Sequence, residues 1–322
     1  MVPTASLDRF RADLDALVEP GTPFGIAVSG GPDSLALLLL AVAARPGEIA
    51  AATVDHGLRA ESRQEAETVA DICERLGVPH AILAIDWDIA PKSALQEKAR
   101  EVRYGALAAW MQEGALGILT TAHHLDDQVE TFVMRLNRGA GVRGLSGMRS
   151  LASVPGHPDL LLARPLLGWR QTELATLCAV ADVRPFADPS NEDSRHERVR
   201  IRSALAQADW LDPQAIARSA ANLADADDAV EWAAATEWTR FTTFTPDEIV
   251  YRPSGAPKEI VRRIIARAIE ELGTEGEPDD LRGREIDRLV AELESGRTCT
   301  LRGVRCQGGS QWRFTSSRAR RR

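Results

Sequence analysis

Along the first two hundred positions, apolar residues fall into two alternating rhythms. Short unbroken runs at 24–28, 49–54, 80–85 and 117–122 are bounded by glycine, proline or charge, and such runs read as buried strands. Between them, apolar residues recur at three- and four-residue spacing: Leu7, Phe10, Leu14 and Leu17; then Ala66, Val69, Ala70, Cys73 and Leu76 ahead of Gly77; then Leu107 and Trp110 in a helix opening at residue 96. The run 35–40 is apolar throughout and reads as a helix within a core. Residues 160–163 offer a fifth strand and 171–181 another helix. This alternation predicts an α/β fold, a doubly wound parallel sheet of about five strands.

Beyond Trp210 the rhythm changes. Helical spacing covers roughly 213–239, 258–272 and 283–293, and short strands follow at 298–306 and 311–315. Two domains are therefore expected, 1–208 carrying the sheet and 209–322 smaller and mainly helical. The length of 322 residues agrees, because single cores usually stop growing near ~250–300 residues.

Composition narrows the class without naming a chemistry. Hydrophobic residues make up 44% and charged residues 27%, as in ordinary globular proteins. The start lacks a basic segment followed by an apolar one, and the apolar run 35–44 is too short to span a bilayer, so a cytoplasmic protein without a membrane partner is expected. Cys73, Cys178, Cys299 and Cys306 are scattered and form no C-x-x-C pair, which argues against a disulfide framework or a zinc or iron–sulfur site. The net charge of −8 argues against indiscriminate nucleic-acid binding but leaves room for a local basic site. One candidate is Arg195, Arg198, Arg200 and Arg202; the terminal Arg318, Arg320, Arg321 and Arg322 read as a solvated end.

Candidate chemistry begins with Ser29-Gly30-Gly31-Pro32-Asp33-Ser34, placed between the first strand and the apolar helix. Two glycines let backbone N–H groups converge on an anion, and the helix adds its own unpaired N–H groups and positive dipole end. A triphosphate fits there. Asp33 would repel it unless Mg²⁺ lay between them, so Asp33 is the candidate metal ligand and leaving-group organiser. The loop lacks the lysine and spacer of a Walker A sequence. Polar residues close two further strands: His56 after the second, and His123-His124-Leu125-Asp126-Asp127-Gln128-Val129-Glu130 after the fourth. Ligands of open parallel sheets lie beyond the strands' carboxyl ends. Asp127 and Glu130, three apart on a helix, would share a face and need a cation: Mg²⁺, an arginine or a positively charged substrate. Arg138 opens and Arg143 lies within a glycine-rich stretch, where no regular element is expected and which could cover a substrate.

Five segments together carry a resemblance: SGGPDS (29–34), VDHGLR (54–59), QEKAREVRY (96–104), TAHHLDDQVETFVMRLNRGAGVRGLSGM (121–148), and ARPLL followed by DPSNEDSRHERVRIR (163–202). The first resembles the pyrophosphate loop of N-type ATP pyrophosphatases, and the set, in this order, resembles the tRNA(Ile)-lysidine synthases in their compact form. The resemblance implies catalytic roles for Asp33, Asp127 and Glu130, and nucleotide contacts from Ser29, Gly30, Gly31, Pro32, Asp33, Ser34, His56 and His123. It further implies substrate contacts from Asp127, Glu130, Arg100, Arg103, Arg138, Arg143, Arg198, Arg200 and Arg202. ATP with Mg²⁺, L-lysine and an isoleucine tRNA with a CAU anticodon are the implied partners, and lysidine at the first anticodon position the implied product. Val199 departs from the asparagine common in that family, which weakens a base-reading role there. Rival readings keep the loop and change the outcome: a tRNA thiolase, for which paired cysteines are missing; an amide-forming ligase on a small carboxylate; or a nucleotide-responsive RNA-binding module.

Overall fold

A computed structural model describes residues 2–57, 62–85, 95–186, 195–273 and 283–316. Leu58 and Arg59 of the second segment, Asp188 to Ser194 of the last, and the terminal arginines lie outside the described residues, as do the side chains of residues 95–97. The chain divides into Met1–Leu223 and Ala224–Arg322.

In the first unit, α1 (Thr4–Asp15) precedes β1 (Phe24–Ala27), α2 (Pro32–Ala44), β2 (Ile49–Asp55), α3 (Ser62–Leu76), β3 (His80–Ala84), α4 (Leu95–Glu113) and β4 (Ile118–Thr120). Next come α5 (Leu125–Asn137), α6 (Val142–Leu145), β5 (Leu151–Val154), β6 (His157–Ala163), α7 (Gln171–Val180) and α8 (Glu197–Ala206). The sheet order is β3-β2-β1-β4-β6-β5. Five strands run parallel, and β5 pairs antiparallel with β6 at the edge. The sequence pattern missed β5 because most of it is solvent-facing and carries no apolar run. Its turn at Pro155-Gly156, with Gly156 at φ 76°, is the usual chemistry of a tight reversal.

Two apolar clusters sandwich this sheet. Ala51 belongs to one with Phe10, Leu14, Leu35, Leu38, Val69 and Trp169. Its neighbour Ala52 belongs to the other with Tyr104, Leu107, Met111, Leu119 and Leu162. Successive strand residues face opposite sides, so helices must cover both. Helix α2 buries Ser34 through Ala41 without interruption, which explains its lack of a polar face. From β1 the chain winds to β2 and β3 on one side, then returns to β4 and β6 on the other. The carboxyl ends of β1 and β4 thus flank the point where winding reverses, the usual place for a ligand in such a sheet.

The division between units falls within α9 (Pro213–Phe241). The second unit continues with β7 (Thr242–Thr245), β8 (Glu248–Tyr251), α10 (Lys258–Leu272), α11 (Gly283–Glu294), β9 (Thr298–Leu301), β10 (Val304–Gln307) and β11 (Trp312–Ser316). Its strands form one antiparallel sheet ordered β7-β8-β11-β10-β9. The helices match their sequence spacing, but the sheet is larger than expected, because β7 and β8 are four-residue strands following directly on a long helix. Ile264, Ile265, Ile269, Leu289, Leu293, Phe314 and Trp312 form its core.

Candidate active site

The loop after β1 is shaped by one glycine. Gly30 has φ +83°, and a Cβ there would stand 2.8 Å from Cδ2 of Phe186 and 3.2 Å from Cγ2 of Val69. The Phe186 N–H donates to the Gly30 carbonyl at 3.0 Å, fastening a distant segment over the loop. Ser34 Oγ donates to the Gly31 carbonyl at 3.0 Å and accepts from the Ser29 N–H at 3.1 Å, so the two serines brace the turn. Gly31 caps α2 without a side-chain bond and Pro32 opens its first turn. The helix start is therefore left to an outside acceptor, which suits a phosphate.

Helix α5, beginning just past β4, supplies the acidic half. His124 is its N-cap: His124 Nδ1 accepts from the Asp127 N–H at 3.3 Å, and Asp127 Oδ2 accepts from the His124 N–H at 3.1 Å. A ring accepting at Nδ1 carries its proton at Nε2. Nε2 lies 3.5 Å from Asp33 Oδ2 and 3.4 Å from Asp127 Oδ2, so one imidazole joins the α2 carboxylate to the α5 carboxylate. Burial works against a charged ring here, but Asp33, Asp127 and Asp126 outweigh it and raise the His124 pKa. Asp33 keeps a second oxygen, Oδ1, buried and without a hydrogen-bond partner. Among the described residues no three His, Cys, Asp or Glu side chains are grouped to hold a metal.

The adjacent acids have different partners. Asp126 accepts from Arg170 Nε at 2.9 Å and from the Gln171 N–H at 2.7 Å, tying α5 to the start of α7. Asp127 stays with the Asp33 and His124 group. Glu130, 2% exposed, is held by Arg202 Nε at 2.6 Å and by Arg198 Nε at 3.3 Å, both from α8. The hydrogen bond to Glu130 raises the Arg202 pKa against the effect of burial, and Asp127 and Asp33 also contribute. The cation needed by this acidic face is thus already supplied by arginine at Glu130.

The remaining candidates separate into groups. Arg103 Nε donates to His56 Nε2 at 3.2 Å, and burial followed by Arg103 lowers the His56 pKa. Arg100 lies over the Tyr104 ring, 5.0 Å from its centroid. His123 shares a 2.9 Å hydrogen bond with Thr121 Oγ1. Burial, assisted by Arg164, Arg100 and Arg198 and opposed by Asp127, pushes the His123 pKa down to about 4. Arg138 is paired with Glu197, Arg200 donates to the Arg195 carbonyl at 2.9 Å, and Arg143 is exposed. Among the described residues, the partners seen for Arg138 and Arg200 are not Asp33 or Asp127.

The glycine-rich stretch contains one helical turn, α6, where no regular element was expected, and it is anchored. Gln128 exchanges two 2.7 Å hydrogen bonds with the Met148 backbone, while Arg135 Nη1 donates to the carbonyls of Gly144 and Gly147. Polar anchors on α5 thus replace the apolar packing that the stretch lacks. Sequence reasoning passed over His124 as a bridge, although a residue able to accept at N-cap with Asp three places later is a capping signal. It also left Arg164 without a role.

The site therefore combines an anion-receiving helix start with a carboxylate cluster at the same sheet edge. Comparison with known proteins gives these features a family. Residues 6–209 match the PP-loop domain family. The chain is 46% identical over 313 residues to the tRNA(Ile)-lysidine synthase of Novosphingobium aromaticivorans, covering 97% of this chain and 94% of that one. It is 40% identical over 292 residues to that of Zymomonas mobilis, covering 90% and 87%. Among solved structures, the U34-tRNA thiolase NcsA from Methanococcus maripaludis aligns with a TM-score of 0.58 at 17% identity, over 68% of this chain and 77% of that one, a likeness of fold. By its PP-loop domain and its near full-length relatives, the chain belongs to the tRNA(Ile)-lysidine synthase family.

Proposed function

We propose that this protein joins L-lysine to the cytidine at the first anticodon position of a CAU-reading isoleucine tRNA, with ATP converted to AMP and pyrophosphate. The observation that supports this reading best is the meeting of Asp33 and Asp127 at His124, directly beside the open start of α2. It supports the reading because the reaction needs a phosphate-receiving surface next to a cation-receiving one.

In the first step the ring carbonyl oxygen of cytidine attacks the α phosphorus of ATP and the bond to pyrophosphate breaks. The N–H groups at the start of α2 hold the departing phosphates, a mainly electrostatic task. The unpartnered Asp33 Oδ1 fits one ligand of a Mg²⁺ ion otherwise held by phosphates and water, the usual manner of that ion. Bound there, Mg²⁺ would neutralise phosphate charge. In the second step the lysine ε-amine attacks the same ring carbon, the carbon–oxygen bond to AMP breaks, and the amine gives up a proton. Free lysine arrives as an ammonium with a reference pKa of ~10.4, so it needs a carboxylate first and a base next. Asp127, on the same α5 face as Glu130, receives it. Arg202 and Arg198 already neutralise Glu130, which leaves Asp127 as the carboxylate facing the amine.

His56 and His123 stand at strand ends that would border the nucleotide, and Arg198, Arg200 and Arg202 on α8 suit tRNA phosphates. The second unit, taken by itself, is a candidate tRNA-binding domain, with exposed Trp232 and Phe244 as stacking candidates. Such a substrate places the enzyme in the cytoplasm; among the described residues no helix is long and apolar enough to cross a membrane. The test is incubation with unmodified CAU isoleucine tRNA, ATP, Mg²⁺ and labelled lysine, omitting each in turn. Label should enter tRNA only in the complete mixture; incorporation without ATP, or pyrophosphate release independent of tRNA, would overturn the assignment.

A further inference from the structure

Three arginines are buried among the described residues: Arg45, Arg164 and Arg263. Two of them are neutralised within the fold. Arg45 pairs with Asp15 and Glu48 at 2.6 and 2.7 Å, and Arg263 with Asp227, Glu231 and Glu259. Among the described residues Arg164 has no such counter-ion. It is 7% exposed, its Nη1 donates to the Arg149 carbonyl at 2.7 Å, and its Nε has no partner. Near it stands a second cation, Arg100, itself stacked on the Tyr104 ring and, among the described residues, without a carboxylate. A buried guanidinium left this way is costly, and an anion from outside would offset the cost.

Position in the sheet indicates which anion. Arg164 follows β6 directly, and the ends of β1, β4 and β6 are level: Ile26 pairs with Thr120, and Thr120 with Ala163. Neighbouring strands are ~4.8 Å apart, so Arg164 starts about 10 Å across the sheet edge from the phosphate loop. Between them lies the end of β4, bearing His123, His124 and Asp127. Both Asp127 and Arg164 are close enough to His123 to act on its charge, from opposite signs. With bonds of ~1.5 Å, extended lysine separates its carboxylate and ε-ammonium by on the order of 7 Å. A lysine with its ammonium at Asp127 can therefore lay its carboxylate toward β6.

We infer that Arg164, with Arg100 beside it, is the subsite for the α-carboxylate of the incoming amino acid. This rests on the lysine-ligation reading above. It makes the amine pocket two-ended, acidic at Asp127 and basic at Arg164, so selection falls on a free amino acid and not on any primary amine. His123, kept neutral between the two ends, separates the charges without cancelling either.

The test compares L-lysine with L-lysinamide, whose carboxylate is replaced by a neutral carboxamide, as acceptors on adenylated tRNA under single-turnover conditions. The wild-type protein should use lysinamide at least ~100-fold less efficiently. Arg164→Gln should lose a similar factor with lysine but less than about threefold with lysinamide, and Arg164→Lys should recover part of the lysine rate. The split should appear in the lysine concentration dependence more than in the limiting rate. Equal losses with both amines would overturn the subsite, as would a wild-type protein that does not distinguish them. A loss in Arg164→Gln confined to pyrophosphate release without lysine would reassign Arg164 to a phosphate. Failure of the wild-type protein to transfer either amine would instead remove the lysine-ligation reading itself.

Discussion

His124 Nε2 lies 3.5 Å from Asp33 Oδ2, joining the residue that caps α5 to the first turn of α2. Two loops from different strand ends are thereby fixed against each other by one ring. Asp33→Ala is expected to abolish ATP–pyrophosphate exchange. His124→Gln, which can reach one carboxylate but not both in the same way, should lower exchange by ~10–100-fold, the usual effect of losing a supporting partner. Unchanged exchange in either variant would contradict these roles.

Glu130 and Arg202 should behave as one unit. Breaking a buried pair costs ~3–5 kcal/mol when a charge is stranded, and Arg198 keeps the loss in Arg202→Met below that range. A double-mutant cycle of Glu130→Gln and Arg202→Met, followed by denaturant unfolding, should give a coupling of about 1–3 kcal/mol. In kinetics, Glu130→Gln should damage lysine use more than adenylate formation. Equal damage to both would make Glu130 a structural anchor for α8.

Gly30→Ala combines two penalties. A left-handed backbone costs a residue with Cβ ~1–2 kcal/mol, and the new methyl meets Phe186. Gly21→Ala is the control, with φ +87° and nothing within 4 Å of the added atom. Both should lower the melting temperature, Gly30→Ala by more, and only Gly30→Ala should raise the KM for ATP.

A pH dependence follows from His123. With its folded pKa near 4 and its ordinary value near 6.5, the folded state holds the neutral ring while the unfolded chain binds the proton first. Its stabilising contribution is present above pH 6.5 and is lost as pH falls toward 4. Unfolding curves across that window should be flatter for His123→Gln than for the wild-type protein, and imidazole resonances should show His123 neutral at pH 5.5.

Much of this was legible in the sequence because it is local. The rhythm of apolar runs gives the parallel strands, the glycines at 30 and 31 give the tight loop ahead of α2, and the spacing of Asp127 and Glu130 gives a shared helix face. What the sequence could not show depends on distant partners. Nothing near Glu130 indicates that Arg202 will occupy it, nothing near Asp126 indicates α7 as its target, and Arg164 looks like any surface arginine until its missing counter-ion is seen. Strands β5, β7 and β8 were hidden for another reason: four residues without an unbroken apolar run carry too few positions to establish a period.

The anchoring of the glycine-rich stretch has a mechanical corollary. Gln128 and Arg135, which grip it, sit on the same helix as Asp127 and Glu130. Any ligand that tilts α5 would carry this stretch with it, so the position of the stretch and the alignment of the two acids are coupled through one helix and cannot be tuned separately.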